Sequence, residues 1–407
     1  MKKFFLLVLM ISFPFFWSCG AQNNERKRIE LDESQQVYAD AGHDFAFRFL
    51  KQVDACEAND WFVSPVSLQY LLGLVLDGAD GETADEICRT LGYPAGQAEA
   101  IDAFCRKMLS ELPTLDKKTK LSLANAIFFN DKMKIQTPYK KRVEEFYDAE
   151  VESLDFSQRN QSLRKINGWC SKQTNGLIPA VLEDIDPEMF AYLLNALYFK
   201  GTWANPFNKR YTKDRTFTLE SGEQKEIPMM AKERKFGYSE DSICQRVVLP
   251  YGNGAYSMFV LLPKEGHTVA DVIAAVNGEN WKEIRTRMSY STLIDVWLPP
   301  FESKYHIMLN DILCDMGMPR SFGPAAQFKQ MSPDALWLSF VQQDAVIKVD
   351  EEGTEAAAVT SAGMLGATAV PAPPRVIIFH CDHPFLYLIT ENSTGTILFA
   401  GKFTGKQ

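Results

Sequence analysis

Side chains able to carry covalent chemistry are few and scattered along this chain. Histidines stand at positions 43, 267, 306, 380 and 383, and only His380-Cys381-Asp382-His383 gathers ligand-type groups in one place. A metal would need those side chains to converge, but the stretch continues an apolar strand run, where alternation sends neighbours to opposite faces. Packing and hydrogen bonding at a strand edge is the better reading. Neither an HExxH motif nor a GxSxG elbow occurs, so no nucleophile can be paired with a base and a hydrolase is not supported. Gly252-Asn253-Gly254 has the look of a phosphate loop but lacks a following lysine or helix, and it reads as a hairpin turn between two apolar runs. Beyond Cys19, cysteines at 56, 88, 105, 170, 244, 314 and 381 contain no CxxC pair and are odd in number. That suggests neither a zinc site nor a disulfide framework, and most read as small buried hydrophobes. No cofactor is implied.

Charge narrows the partners. Lys and Arg total 43 against 52 Asp and Glu, a formal net charge of −9, the wrong sign for a protein that neutralises phosphates. Nucleic acid is excluded on that ground, and the short basic run Lys117, Lys118, Lys120 reads as a solvated loop. At the N-terminus Lys2 and Lys3 precede an apolar run over residues 4–17, long enough for a signal-peptide core and too short to span a bilayer. The run ends in Phe16-Trp17-Ser18-Cys19-Gly20, which resembles a bacterial lipoprotein box with an aromatic pair in place of the usual upstream residues. Residues 1–18 are then a removable signal, and Cys19 becomes the lipidated end of an exported, membrane-anchored protein facing periplasm or cell surface. An ordinary secretory signal is the alternative. Residues 19–36, polar and without apolar periodicity, read as a flexible tether, so the folded part is expected from Val37 onward.

With 407 residues, 46% of them hydrophobic, the remainder is ample for a large core. Ala41, Phe45, Phe49 and Val53 recur at helical spacing. Ser64 and Pro65 open a second helix, 66–76, as N-cap and first helical residue; it is apolar nearly all round, as a buried helix must be. Thr83-Ala84-Asp85-Glu86 has capping-box spacing for a short helix, 83–91, closed by Gly92. Near-continuous apolar runs at 121–129, 192–199, 256–262 and 385–390 fit strands covered on both faces, residues 293–298 alternate, and Asn392-Ser393-Thr394-Gly395 reads as a hairpin turn. No linker or repeat divides the chain, which points to one α+β domain over residues 37–407.

One segment does not fit a packed element. From Ala356 to Pro374 there is no charged residue, and the composition is mostly Ala, Thr, Ser, Gly and Val. Long loops of this kind are uncommon and usually functional. Its head, Glu351-Glu352-Gly353-Thr354-Glu355-Ala356-Ala357-Ala358-Val359-Thr360, resembles the hinge of the reactive-centre loop in inhibitory serpins. Phe62-Val63-Ser64-Pro65-Val66-Ser67, Asn195-Ala196-Leu197-Tyr198-Phe199-Lys200-Gly201-Thr202-Trp203, Leu249-Pro250-Tyr251 and His383-Pro384-Phe385 match serpin segments in the expected order. The resemblance covers residues 37–403.

It implies a serpin fold of three β-sheets and about nine helices, with an exposed reactive-centre loop over about 351–374. It also implies a monomeric suicide inhibitor of serine proteases, not an enzyme, with action on cysteine proteases also open. A protease cleaves the loop and forms an acyl-enzyme; the loop then enters the central sheet and traps it. The alternative is a non-inhibitory binding or chaperone-like member. Period two would put Thr354, Ala356, Ala358, Thr360 and Ala362 on one small, uncharged face and Glu355 on the other, with Gly353 as a pivot. The family's spacing from Glu351 sets the reactive bond at Ala367-Thr368, within a window of Gly366, Ala369 and Val370; small residues there suit elastase-like proteases. Ser64, Pro65, Ser67 and Asn195 would form the shutter beneath the sheet and Trp203 the breach where the loop enters. In the shutter Gln343 replaces a common histidine and cannot act as a proton switch. Pro300 replaces a lysine that would pair with Glu351. Thr354 itself is expected to be exposed before insertion.

Overall fold

The computed structural model describes residues 26–339, 341–354 and 375–406. The chain opens with helices α1 (Glu33–Cys56), α2 (Pro65–Leu76), α3 (Gly81–Leu91) and α4 (Ala98–Glu111), interrupted by strand β1 (Trp61–Val63). Strand β2 (Lys120–Asn130), helix α5 (Thr137–Tyr147), strand β3 (Ala149–Leu154), helix α6 (Arg159–Gln173) and strand β4 (Ala191–Thr202) follow. A long β region holds β5 (Lys213–Thr218), β6 (Gln224–Arg234), β7 (Gly237–Glu240), β8 (Cys244–Pro250) and β9 (Tyr256–Pro263). After α7 (Val269–Ala275) and α8 (Gly278–Thr286) come β10 (Leu293–Leu298), β11 (Phe301–Met308), α9 (Asn310–Asp315), β12 (Gln342–Asp350) and β13 (Gly353–Thr354). The described chain closes with β14 (Val376–His380), β15 (Phe385–Glu391) and β16 (Ile397–Phe403).

Three sheets result. The central one runs β11-β12-β13-β4-β2-β3, a second runs β1-β16-β15-β9-β8-β7, and the third runs β14-β10-β6-β5. Strands β9, β15 and β16 are buried at every position, because helices cover one side of that sheet and the rest of the core the other. Helix α2 has all twelve residues buried. Its start is the one expected: Ser64 accepts the Ser67 N–H and Pro65 occupies the first turn. Helix α6 packs on the outer face of the central sheet through its own small core, which includes Ile166, Trp169 and Cys170 against Phe128, Tyr192 and Ala196.

Three expectations need correction. Helix α1 begins at Glu33 rather than near Val37, with Asp32 and Gln35 forming a capping box, and Ile29 is already buried with its N–H donated to Ser393 Oγ. The segment 29–36 is therefore part of the fold; two apolar residues, Ile29 and Leu31, gave no helical periodicity to reveal it. Helix α3 starts at Gly81 behind Asp80, not at Thr83. Tertiary partners take the supposed capping groups: Thr83 accepts the Gln327 N–H and Glu86 that of Arg320. Strand β14 stops at His380, so Cys381, Asp382 and His383 lie in the link to β15.

Candidate functional site

The central sheet carries the geometry that matters. Strand β12 is laddered to β11 from Gln342 to Val349, and β4 to β2 from Ala191 to Lys200. Between β12 and β4 sits only the two-residue β13, antiparallel to both: Val349 pairs Thr354, Asp350 pairs Gly353, and on the other side Gly201 pairs Thr354 and Thr202 pairs Gly353. Among the described residues no ladder joins β12 directly to β4. The two strands run parallel, and a chain leaving the end of β12 through the Glu351-Glu352 turn reaches the mouth of the slot in the antiparallel sense that either neighbour can accept.

That mouth is well held. Trp203 donates its indole N–H to the Asp350 carbonyl at 2.9 Å and its backbone N–H to Glu352 at 2.8 Å, while Phe207 N–H reaches the Glu351 carbonyl at 2.7 Å. The Trp203 ring stacks on Tyr251 with centroids 4.4 Å apart. Asp350 Oδ1 accepts the N–H groups of Glu352 and Gly353, which fixes the turn. Glu351, lacking a lysine partner, takes the Thr212 hydroxyl at 2.7 Å. Gly353 has φ +152, and a Cβ there would collide with the Gly201 carbonyl oxygen and the Thr202 Cα. Its role is close approach to β4 more than freedom as a pivot.

Thr354 corrects a further expectation. It is buried, 3% exposed, and its hydroxyl lies 2.7 Å from the Tyr251 hydroxyl, each able to donate to the other. In this structure the side chain at the head of the hinge is already seated between β12 and β4. Burial pushes the Tyr251 phenol well above its ordinary range, so this contact stays neutral at physiological pH.

Beneath the slot, the N-terminal end of α2 is tied to both of its edges. On the β12 side the Gln343 amide accepts the Ser64 N–H at 2.7 Å and donates to the Ser64 carbonyl at 3.0 Å. On the β4 side the Ser67 hydroxyl donates to Asn195 Oδ1, and Asn195 Nδ2 donates to Asn125 Oδ1 at 2.7 Å. Ser64 Oγ donates to the Leu398 carbonyl, which anchors the helix end to the neighbouring sheet. Separating β4 from β12 must strain or break one set of these bonds.

The sequence reading brought Ser64, Pro65, Ser67, Asn195, Gln343, Trp203 and residues 351–354 to this region, and the structure places them all around the slot. It missed Asn125, Tyr251, Thr212 and Asp350. Asn125 was discoverable as a polar residue inside the apolar run 121–129; Tyr251 stood in a quoted motif without a role. Glu355, Ala356, Ala357, Ala358 and Val359, the bond window from Gly366 to Val370 and Cys19 lie outside the described residues. The histidine cluster disperses: His380 bonds Asp295 at 2.9 Å and stacks on Trp297, while His383 sits between Asp382 and the Pro263 carbonyl. Among the described residues no group of three or more His, Cys, Asp or Glu could hold a metal ion.

The fold and this geometry define the class: three sheets and nine α-helices among the described residues, with the two-residue β13 seated at the mouth of the central sheet. The chain belongs to the serpin family, whose model, described as Serpin (serine protease inhibitor), matches residues 40–405. It is 32% identical over 376 residues to Serpin B6 of Macaca fascicularis, covering 90% of this chain and 99% of that one. A serpin-like protein of Methanosarcina acetivorans is 30% identical over 369 residues, 89% of this chain and 85% of the other. The native structure of the thermophilic serpin tengpin superposes with a TM-score of 0.82 at 29% identity, covering 94% of this chain and 96% of that one.

Proposed function

We propose that this serpin is a suicide inhibitor of serine proteases, with elastase-like enzymes as its targets and Ala367-Thr368 as the bond they attack. The observation that carries this reading is the slot between β12 and β4, in which Gly353 and Thr354 are the only paired positions among the described residues. After Glu355, which alternation puts on the opposite face, Ala356, Ala357, Ala358 and Val359 are small and uncharged, so further insertion adds backbone hydrogen bonds without placing an ion on the face that carries Thr354. Acylation would release the loop at its far end, and zippering into the slot would carry the attached protease away before water resolves the ester. Small residues in the bond window favour a shallow primary pocket. Cysteine proteases that form the analogous thioester fall within the same scheme. We further propose that Cys19 carries a lipid after removal of residues 1–18, so that the inhibitor guards a bacterial membrane surface as a monomer.

Incubating the purified protein with an elastase-like protease should give a complex that survives SDS. Mass spectrometry of the released peptide should then locate the bond. Cleaved protein alone, at every ratio and with every protease tried, would overturn the inhibitory reading. Expression with metabolically labelled fatty acid, with and without Cys19→Ala, tests the anchor; label retained in the variant would remove it.

A further inference from the structure

A chain of hydrogen bonds runs from the β4 edge of the slot to a pair of buried carboxyls some way behind it. Ser67 donates to Asn195, Asn195 to Asn125, and Asn125 Nδ2 to the backbone carbonyl of Tyr147 at 2.9 Å. Tyr147 ends α5, and its hydroxyl donates at 2.9 Å to Asp102 Oδ1 on α4. Asp102 shares a single cation with Asp77, the residue that caps α2: Arg142 binds Asp77 Oδ1 through Nε at 2.9 Å and Asp102 Oδ2 through its terminal nitrogen. Both carboxyl side chains are 1% exposed. Asp77 Oδ2 has no donor among the described residues and meets the Asp102 carboxyl itself.

Two buried carboxylates around one guanidinium leave a net negative charge in a low-dielectric site, a state relieved by taking up one proton. The titratable groups facing the pair do not offer another remedy. They are Tyr139, Arg142 and Tyr147 on α5 and Cys105 on α4, with Tyr70 of α2 behind Cys105; burial keeps the phenols and the thiol neutral. Burial and the neighbouring Asp102 push Asp77 up to about 7, and burial raises Asp102 as well. Asp77 and Arg142 also line an open cavity of about 1040 Å³, which gives protons a route in.

We propose that Asp77 and Asp102 form a proton-operated latch on the central sheet: sharing a proton they hold α2, α4 and α5 together and, through Tyr147 and Asn125, keep Asn195 and β4 in place. Losing the proton sets like charges against each other at the far end of that chain and loosens β4, so the slot opens more readily. The latch rests on the loop-insertion reading for its consequence, but not for its proton.

The test uses the full chain between pH 5.5 and 8.5. Asp77→Asn reproduces the protonated geometry, its amide oxygen accepting from Arg142 and its amide nitrogen donating to Asp102. This variant should melt above wild type throughout this range, and by a wider margin at pH 8 than at pH 5.5. The rate at which loop-cleaved wild type becomes heat-resistant should rise several-fold as pH climbs through about 7 and level off above it, and should not vary with pH in Asp77→Asn. Tyr147→Phe cuts the connection: melting should keep its pH dependence while insertion loses it. Equal pH dependence of insertion in wild type, Asp77→Asn and Tyr147→Phe would overturn the latch. Infrared spectroscopy supplies a check that needs no variant, a protonated-carboxyl band present at pH 5.5 and gone at pH 8. If cleaved protein never becomes heat-resistant, the inhibitory reading fails; the band then decides the pair alone, its presence and loss upholding the shared proton and its absence overturning it.

Discussion

At the scale of single residues, Gly353 and Thr354 are the described positions that already lie between β12 and β4. Thr354→Arg would place a cation against the Tyr251 hydroxyl in a site that is 3% exposed. Without a carboxylate to pair with, β13 should leave the sheet, at a cost of about 1–3 kcal/mol to the native state. Melting should therefore drop by a few degrees, and titration against protease should show turnover of the variant as substrate. Glu355→Arg, on the opposite face by the alternation of the sequence, should impair inhibition much less, and equal damage would contradict period-two insertion. Gly353→Ala acts through the backbone: the added Cβ meets the Gly201 carbonyl oxygen. Strain of this kind costs about 1–3 kcal/mol. Its expected signature is faster proteolysis of the loop with the core intact, read by limited digestion.

Among the elements, α2 governs the slot, because its first turn is bonded to both edges. Gln343→Ala removes the clamp on the β12 side and leaves the Ser64 N–H without its partner in a buried site, while the Ser64 C=O keeps the Leu68 N–H. The stranded N–H costs about 1–3 kcal/mol, so native melting should fall clearly while the cleaved, inserted form is less affected. A gain in native melting would show that the clamp is not a restraint. Glutamine does not titrate, so pH enters through the other end of α2, where Asp77 sits. The sign follows from linkage. A carboxyl whose folded value is raised to about 7 keeps a proton that the unfolded chain loses near pH 3.9. Its contribution to native stability is complete at and below the lower value, falls as pH rises through the window, and is gone above about 7.

For the molecule as a whole, β13 pairs at only two positions between β12 and β4 among the described residues. On the proposed insertion mechanism, the native sheet gains stability when the following segment extends that pairing. Cleavage within residues 366–370 should release that segment, and differential scanning calorimetry before and after should show a large rise in melting temperature. An unchanged curve would assign this serpin to the non-inhibitory members. The acidic surface, with formal charge −9, predicts that neither activity nor melting responds to added polyanion.

The features legible in the sequence are local. The N-cap and proline of α2, the apolar runs that became β2, β4, β9 and β15, and the small uncharged hinge are all written in residues close together, where propensity and alternation act directly. Motif order was enough to indicate the serpin fold. The capping pattern at Thr83 failed for a physical reason: Gln327 and Arg320, more than two hundred residues away, compete for the same side chains. Thr354 was misjudged because only the pairing of β13 with both neighbours shows the hinge already seated. Tertiary structure alone joined Ser67, Asn195, Asn125, Tyr147, Asp102, Arg142 and Asp77, which come from α2, β4, β2, α5 and α4 and from the cap of α2. No spacing along the chain encodes that line of contacts. It exists because packing in a crowded interior leaves each buried polar group only the partners that the neighbouring elements bring.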